Sequence, residues 1–184
     1  MSTTVIQPAT QLPGRSATAG RVGRRRFLKA GIAAAAAPMI VPGSALGLDG
    51  AVPPSERVVV GGIGIGNRGT YVLGCFLEQP DVQFTAVCDV KEARRLAVKK
   101  LADERYSNSD CAMYGDFREL LDRPNIDAVL IATGPNWHAL ATTIAARAGK
   151  DIYCEKPCTK NIAQSLILRD TIKRTGRVFQ VGTQ

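Results

Sequence analysis

Histidine is almost missing from this sequence: His138 is the only one in 184 residues. Aromatic side chains are also few, at 5% of the chain. No basic stripe interleaved with aromatics is present, so the pattern of a nucleic-acid-binding surface is not there. The five cysteines (Cys75, Cys88, Cys111, Cys154, Cys158) are odd in number and scattered, which is no disulfide framework. Cys154 and Cys158 have no accompanying histidine or second cysteine pair, so metal ligation is not indicated either. They read instead as small buried hydrophobes. No internal repeat of fixed period occurs, and the only low-complexity tract is one run of alanines.

Acidic residues are absent from the first 47 positions, where Arg15, Arg21, Arg24, Arg25, Arg26 and Lys29 stand. The formal charge of +8 comes largely from there. Removing those six from the 24 basic residues leaves 18 against 16 acids, a balance of +2. The remainder is near neutral and, with the chain 45% hydrophobic overall, able to bury a core. Within the leader, Arg24-Arg25-x-Phe27-Leu28-Lys29 resembles the twin-arginine export consensus, with Gly23 where Ser or Thr is usual. The apolar run Ala30–Val41 falls short of the roughly 20 residues that span a bilayer and fits a signal core. The expected organisation is a twin-arginine signal over residues 1–47, a linker over 48–56 and one domain over 57–184, with the twin-arginine translocase as a partner and an extracytoplasmic or periplasmic destination. The alternative for the leader is an uncleaved tail.

From Arg57 short apolar runs alternate with helical periodicity. "RVVVGGIG", "VQFTAVCD", "CAMY", "DAVLIAT", "DIYC" and "RVFQVG" read as strands, with helices between them. The charged helix "KEARRLAVKKLADERY" has Ala93, Leu96, Ala97 and Leu101 at core spacing, and Asp116 is a helix N-cap candidate. Continuous rather than alternating apolar strands indicate burial on both faces. Interleaved strands and helices predict an α/β fold with a doubly wound parallel sheet, six strands in the order 3-2-1-4-5-6.

The first strand runs into Gly64-Ile65-Gly66-Asn67-Arg68-Gly69, the G-x-G-x-x-G spacing. In the strand-to-helix position the three glycines serve a tight turn, a close approach to a pyrophosphate, and close packing of helix on strand. The helix N-terminus offers free N–H groups to phosphate. Asp89 ends the second strand, 89 − 69 = 20 residues past the last glycine. A carboxylate there accepts from ribose hydroxyls and repels a 2′-phosphate, so NAD is expected over NADP, although Arg94 and Arg95 stand close enough to soften the preference. The bland reading of Asp89 is a helix N-cap, and the two roles can coexist.

Taken with "AGKDIYCEKPCT", "VLIATGPNWHAL" and "VFQVGTQ", these residues make the sequence from Arg57 to Gln184 similar to the Gfo/Idh/MocA oxidoreductases, the glucose-fructose oxidoreductase and inositol dehydrogenase group. The resemblance implies a Rossmann NAD(P)-binding domain and an NAD(P)-dependent oxidoreductase acting on a hydroxyl of a sugar, cyclitol or related polyol. Glu155-Lys156-Pro157 matches the family's E-K-P signature, implying that Lys156 faces the nicotinamide and the reacting hydroxyl, with Glu155 orienting it or touching ribose. Read from the residues alone, Lys156 is as readily a strand-end lysine with its head in water. Thr133, Gly134, Asn136 and His138 fall in the segment that covers the nicotinamide ribose, where Gly134 and Pro135 replace the family's Pro and Asn. His138 is expected to be structural rather than the base, Trp137 to pack, and Gln164, standing where relatives have Glu, to matter little.

Relatives of this kind carry a second α/β domain with an open antiparallel sheet, holding an Asp and His pair, and oligomerise through it. A chain of this length is expected to hold the Rossmann half alone, as a fragment or as a stand-alone remnant. A non-catalytic exported dinucleotide-binding module, or a structural or sugar-binding protein, is the alternative to an enzyme.

Overall fold

The computed structural model describes Leu48 and residues 52–183. The segment expected to be a twin-arginine leader lies outside these residues. Among the described residues, no helix is long and apolar enough to cross a membrane.

Six strands form one sheet: β1 (Val58–Ile63), β2 (Val82–Cys88), β3 (Ala112–Tyr114), β4 (Ala128–Ile131), β5 (Asp151–Glu155) and β6 (Phe179–Gly182). Their spatial order is β3-β2-β1-β4-β5-β6, as expected, and every pairing is parallel. Five helices connect them: α1 (Asn67–Leu77), α2 (Glu92–Tyr106), α3 (Phe117–Leu121), α4 (Pro135–Arg147) and α5 (Ile162–Thr175). The core has two layers. Val72, Leu73 and Leu77 of α1 and Val98 and Ala102 of α2 close over Val60, Phe84, Val87 and Leu130 on one face. Leu120 and Leu121 of α3 and Ala141, Ala145 and Ala146 of α4 cover Ile63, Val129, Ile131 and Ile152 on the other. Full burial of a Leu, Ile or Phe stabilises by about 1.5–3 kcal/mol, so these two layers supply most of what holds the sheet flanked.

Aspartates secure the strand entrances. Val59 N–H donates to Asp127 Oδ2 at 2.8 Å, and Val178 N–H to Asp151 Oδ1 at 2.9 Å. Lys150 is buried and donates to the carbonyls of Arg123 and Ile126 at 2.7 and 2.9 Å. It holds the α3–β4 loop at the end of the sheet remote from the glycine turn. The N-cap expected at Asp116 holds: it accepts the Arg118 N–H at 2.8 Å, a bond that lowers its carboxyl pKa. Helix α5 ends at Gly176, φ +64°.

The segment expected as linker ends in a short 3-10 turn, Pro54–Glu56, followed by Arg57, whose Nε donates to Val52 O. Three expectations are corrected. In α2 the inward face is Val98 and Ala102, with Leu101 partly buried, while Ala93, Leu96 and Ala97 face outward. Two apolar stripes coexist on that helix, and only the sheet decides between them. Helix α4 begins at Pro135, because proline fits a first turn whose N–H groups have no helical partner. That puts Trp137 54% exposed on the outer face, with His138 on the inner one, so Trp137 does not pack. Finally, Cys88, Cys111 and Cys154 are buried as expected, but Cys75 is exposed on α1 and Cys158 half-buried.

Candidate functional site

Parallel pairing places the carboxyl ends of β1, β2, β4 and β5 side by side: Ile63 pairs with Cys88 and Ile131, and Ile131 with Cys154. The segments that leave these ends are the ones the sequence singles out. Gly64, Asp89, Thr133 and Lys156 each stand one or two residues beyond a strand end.

The glycine turn is a close fit. Gly64 has φ +70°, and a Cβ there would lie 2.3 Å from Thr133 Cγ2 and 2.8 Å from Thr133 Cα. Only glycine combines that dihedral with that contact. Gly64 N–H donates to Cys88 O at 2.7 Å, binding the turn to β2. At Gly69 a Cβ would lie 2.9 Å from Ala132 Cβ, so α1 rests directly against β4. Gly66 caps α1 without a side chain, and the helix begins at Asn67 with its N-terminal N–H groups uncapped by any side-chain oxygen. Ile65 is buried beneath the turn, while Asn67 and Arg68 are exposed. This is a cradle for an anionic group at a positive helix end.

Asp89 follows β2 and is buried. Its Oδ1 accepts the Lys91 N–H at 2.8 Å, and its Oδ2 lies 3.6 Å from Arg94 Nη1. The N-cap of α2 is Lys91, so Asp89 shapes the turn before the helix rather than capping it. The Arg94 guanidinium also approaches to 3.4 Å of the position a Gly66 side chain would take, so it stands between the glycine turn and the carboxylate. Arg95 Nη1 donates to Asp89 O at 2.6 Å.

Lys156 is exposed at the end of β5, and the Lys156–Pro157 bond is cis. Glu155, by contrast, is 4% exposed. Its Oε2 accepts the Lys156 backbone N–H at 3.2 Å, and its Oε1 accepts from Arg68 Nε at 3.0 Å. His138 is 1% exposed, and both ring nitrogens face carbonyl oxygens: Nδ1 is 2.7 Å from Pro157 O and Nε2 2.9 Å from Thr133 O. The ring thus ties the β4 and β5 exit loops from beneath. Gly134 and Asn136 are exposed on the rim above it. Gln164 is engaged in the α5 cap, its Oε1 accepting the Lys160 N–H at 2.9 Å.

The sequence singles out the residues of this rim one motif at a time but does not reveal their links. The Arg68–Glu155 and His138–Pro157 pairs, separated by 87 and 19 positions, carry no local signal.

Comparison with known proteins agrees with this geometry. Residues 57–183 match the family described as oxidoreductase family, NAD-binding Rossmann fold, Gfo/Idh/MocA. A glycosyl hydrolase family 109 protein of Saccharopolyspora erythraea is 37% identical over 66% of this chain and 27% of its own length. A myo-inositol 2-dehydrogenase of Thermotoga maritima is 35% identical over 56% of this chain and 29% of its own. A crystal structure of an NAD binding oxidoreductase from Klebsiella pneumoniae superposes with TM-score 0.57 at 26% identity, covering 68% of this chain and 34% of that one. The chain therefore spans about a third of the length of such relatives. With the strand order, the glycine turn and the E-K-P loop all in place over the matched residues, the chain belongs to the Gfo/Idh/MocA oxidoreductase family and carries its NAD-binding Rossmann fold.

Proposed function

We propose that this chain is the nucleotide-binding half of an exported NAD(P)-dependent oxidoreductase whose substrate is a sugar, cyclitol or related polyol. The observation that carries the reading is the convergence of the glycine turn, Asp89 and Lys156 on one edge of the sheet. The residues fit a dinucleotide. The Gly64 turn and α1 N-terminus suit a pyrophosphate, Asp89 suits a ribose, and the loop from Thr133 to Asn136, held from below by His138, suits the nicotinamide side. When bound, nicotinamide accepts or returns a hydride.

The chain's own residues supply position and charge. Lys156, carried just past a strand end with its backbone N–H held by Glu155, suits a role in which its ammonium donates to a substrate hydroxyl and offsets negative charge developing on the oxygen. Holding that oxygen at near-attack distance makes the largest demand on precision, because effective molarity falls steeply with misplacement.

A second reading shares the first step. The likeness to a glycosyl hydrolase family 109 protein favours net glycoside cleavage; for that outcome to use a bound nucleotide, any hydride taken from the sugar has to be given back. The two differ in whether reduced nucleotide accumulates.

Binding is tested on this chain by NADH fluorescence titration, and saturable binding is expected. Failure to bind either NADH or NADPH would remove both readings. Turnover is tested on the whole gene product. Lys156-dependent NADH formation with inositols or hexoses supports the dehydrogenase. NAD-requiring release of nitrophenol from nitrophenyl glycosides, without NADH accumulation, supports the hydrolase.

A further inference from the structure

Arg68 occupies the third variable position of the glycine turn, in the first turn of α1, next to the helix end that suits a phosphate. It does not stand free there. Its Nε donates to Glu155 Oε1 at 3.0 Å, across 87 residues of chain. The partner carboxylate is 4% exposed, while the Arg68 side chain is 43% exposed. The guanidinium also lies over the ring of Tyr71, one turn along α1, with 5.0 Å between Arg68 Cζ and the ring centroid. The carboxylate is hemmed in by β6: a Cβ on Gly182 would lie 3.1 Å from Glu155 Oε1. Its second oxygen accepts the backbone N–H of Lys156. One buried carboxylate therefore joins the nucleotide-binding helix to the peptide that carries the lysine.

We infer that Arg68 is a positioning residue: through Glu155 it couples the glycine turn to Lys156, so that nucleotide on the turn sets the placement of the lysine. This rests on the reading that a dinucleotide occupies the turn. The physical basis is that a guanidinium–carboxylate pair with one partner buried is directional and costly to leave half-made, so it transmits displacement better than an apolar contact would. Arg68 then contributes little to nucleotide affinity, because its charge is already engaged by Glu155.

The test uses the full chain and the variants Arg68→Lys, Arg68→Met, Glu155→Gln and Arg68→Met/Glu155→Gln. It has three readouts: NADH dissociation constant by fluorescence, thermal unfolding, and the rate at which Lys156 is acetylated by an N-hydroxysuccinimide acetate, read by peptide mass with and without NAD. In the wild type NAD should change the Lys156 rate. In Arg68→Met that nucleotide-dependent change should fall about tenfold, the middle of the range for directly coupled residues, while the NADH dissociation constant moves less than about threefold. The double variant should be no worse than either single one, and Arg68→Lys should restore part of the response. Arg68→Lys also serves where Arg68→Met unfolds. The inference is overturned if Arg68→Met, or Arg68→Lys where Arg68→Met unfolds, leaves the nucleotide-dependent Lys156 rate intact. It is equally overturned if Arg68 and Glu155 changes add independently, or if they shift only the unfolding temperature. If the wild type binds no NADH, it is the dinucleotide reading that falls, and the coupling with it.

Discussion

At Asp89 two demands meet on one carboxylate. One oxygen accepts the Lys91 N–H, and the other faces Arg94. The first interaction holds the turn, and the second places a cation within reach of whatever the carboxylate binds. NAD is expected to bind more tightly than NADP. Asp89→Ala should narrow the gap by about 1–3 kcal/mol, the scale of a hydrogen bond to a charged group left unmade. Arg94→Ala should widen it, by removing the cation that would offset a 2′-phosphate. Titration of both nucleotides against the three proteins decides this, and equal dissociation constants in the wild type would overturn it. The cysteines make a second test at this scale. Burial raises the thiols of Cys88, Cys111 and Cys154 to about 11. A raised thiol pKa leaves the reactive thiolate scarce at pH 8, at about one part in a thousand. Iodoacetamide in native buffer should therefore label exposed Cys75 first and those three only after denaturation, with mass spectrometry reporting the order. Their labelling in the folded protein should rise as the pH approaches 11.

Among the elements, the strand–turn–helix from β1 to α1 has the narrowest tolerance. Gly64→Ala forces a side chain into positive φ and onto Thr133 at once. The backbone term alone is about 1–3 kcal/mol, and the clash with Thr133 in the loop after β4 adds to it. NADH affinity should fall more than tenfold, with a lower melting temperature. Gly74 in the same helix is the control, because a Cβ there meets nothing within 4 Å. Gly74→Ala should stabilise by about 0.5–1 kcal/mol, as alanine does in a helix interior, and leave NADH binding unchanged. A fall in binding for both variants would mean that α1 as a whole, and not the turn, limits affinity.

For the whole molecule the leading prediction concerns destination. The basic excess lies in residues 1–47, outside the domain, and residues 48–184 carry only +2 by the count of 18 basic and 16 acidic side chains. We propose that the leader is removed on export. Replacing Arg24 and Arg25 together by lysine should hold the protein in the cytoplasm as the longer, more basic form, because the translocase reads the arginine pair rather than its charge. Cell fractionation with isoelectric focusing separates the two forms. An unchanged periplasmic yield would end the twin-arginine reading.

The order of the sheet was legible in the sequence because parallel α/β units are built from local signals: apolar strands of fixed length, helical periodicity between them, and the right-handed crossover that leaves few ways to connect them. The glycine turn was legible for the same reason, since its dihedrals and its helix start are properties of six consecutive residues. The inward face of α2 was not, because Ala93-Leu96-Ala97 and Val98-Ala102 are both apolar stripes at helical spacing and only contact with β2 and β3 selects the second. Nor could the spacing of His138 show that its ring would lie between Thr133 and Pro157, or that of Trp137 that it would stay in solvent. The choice of Glu155 as the partner of Arg68 belongs wholly to the tertiary structure: a buried carboxylate takes the cation that the packing of α1 against the sheet brings within 3.0 Å, and that distance exists only once the strands between them have paired.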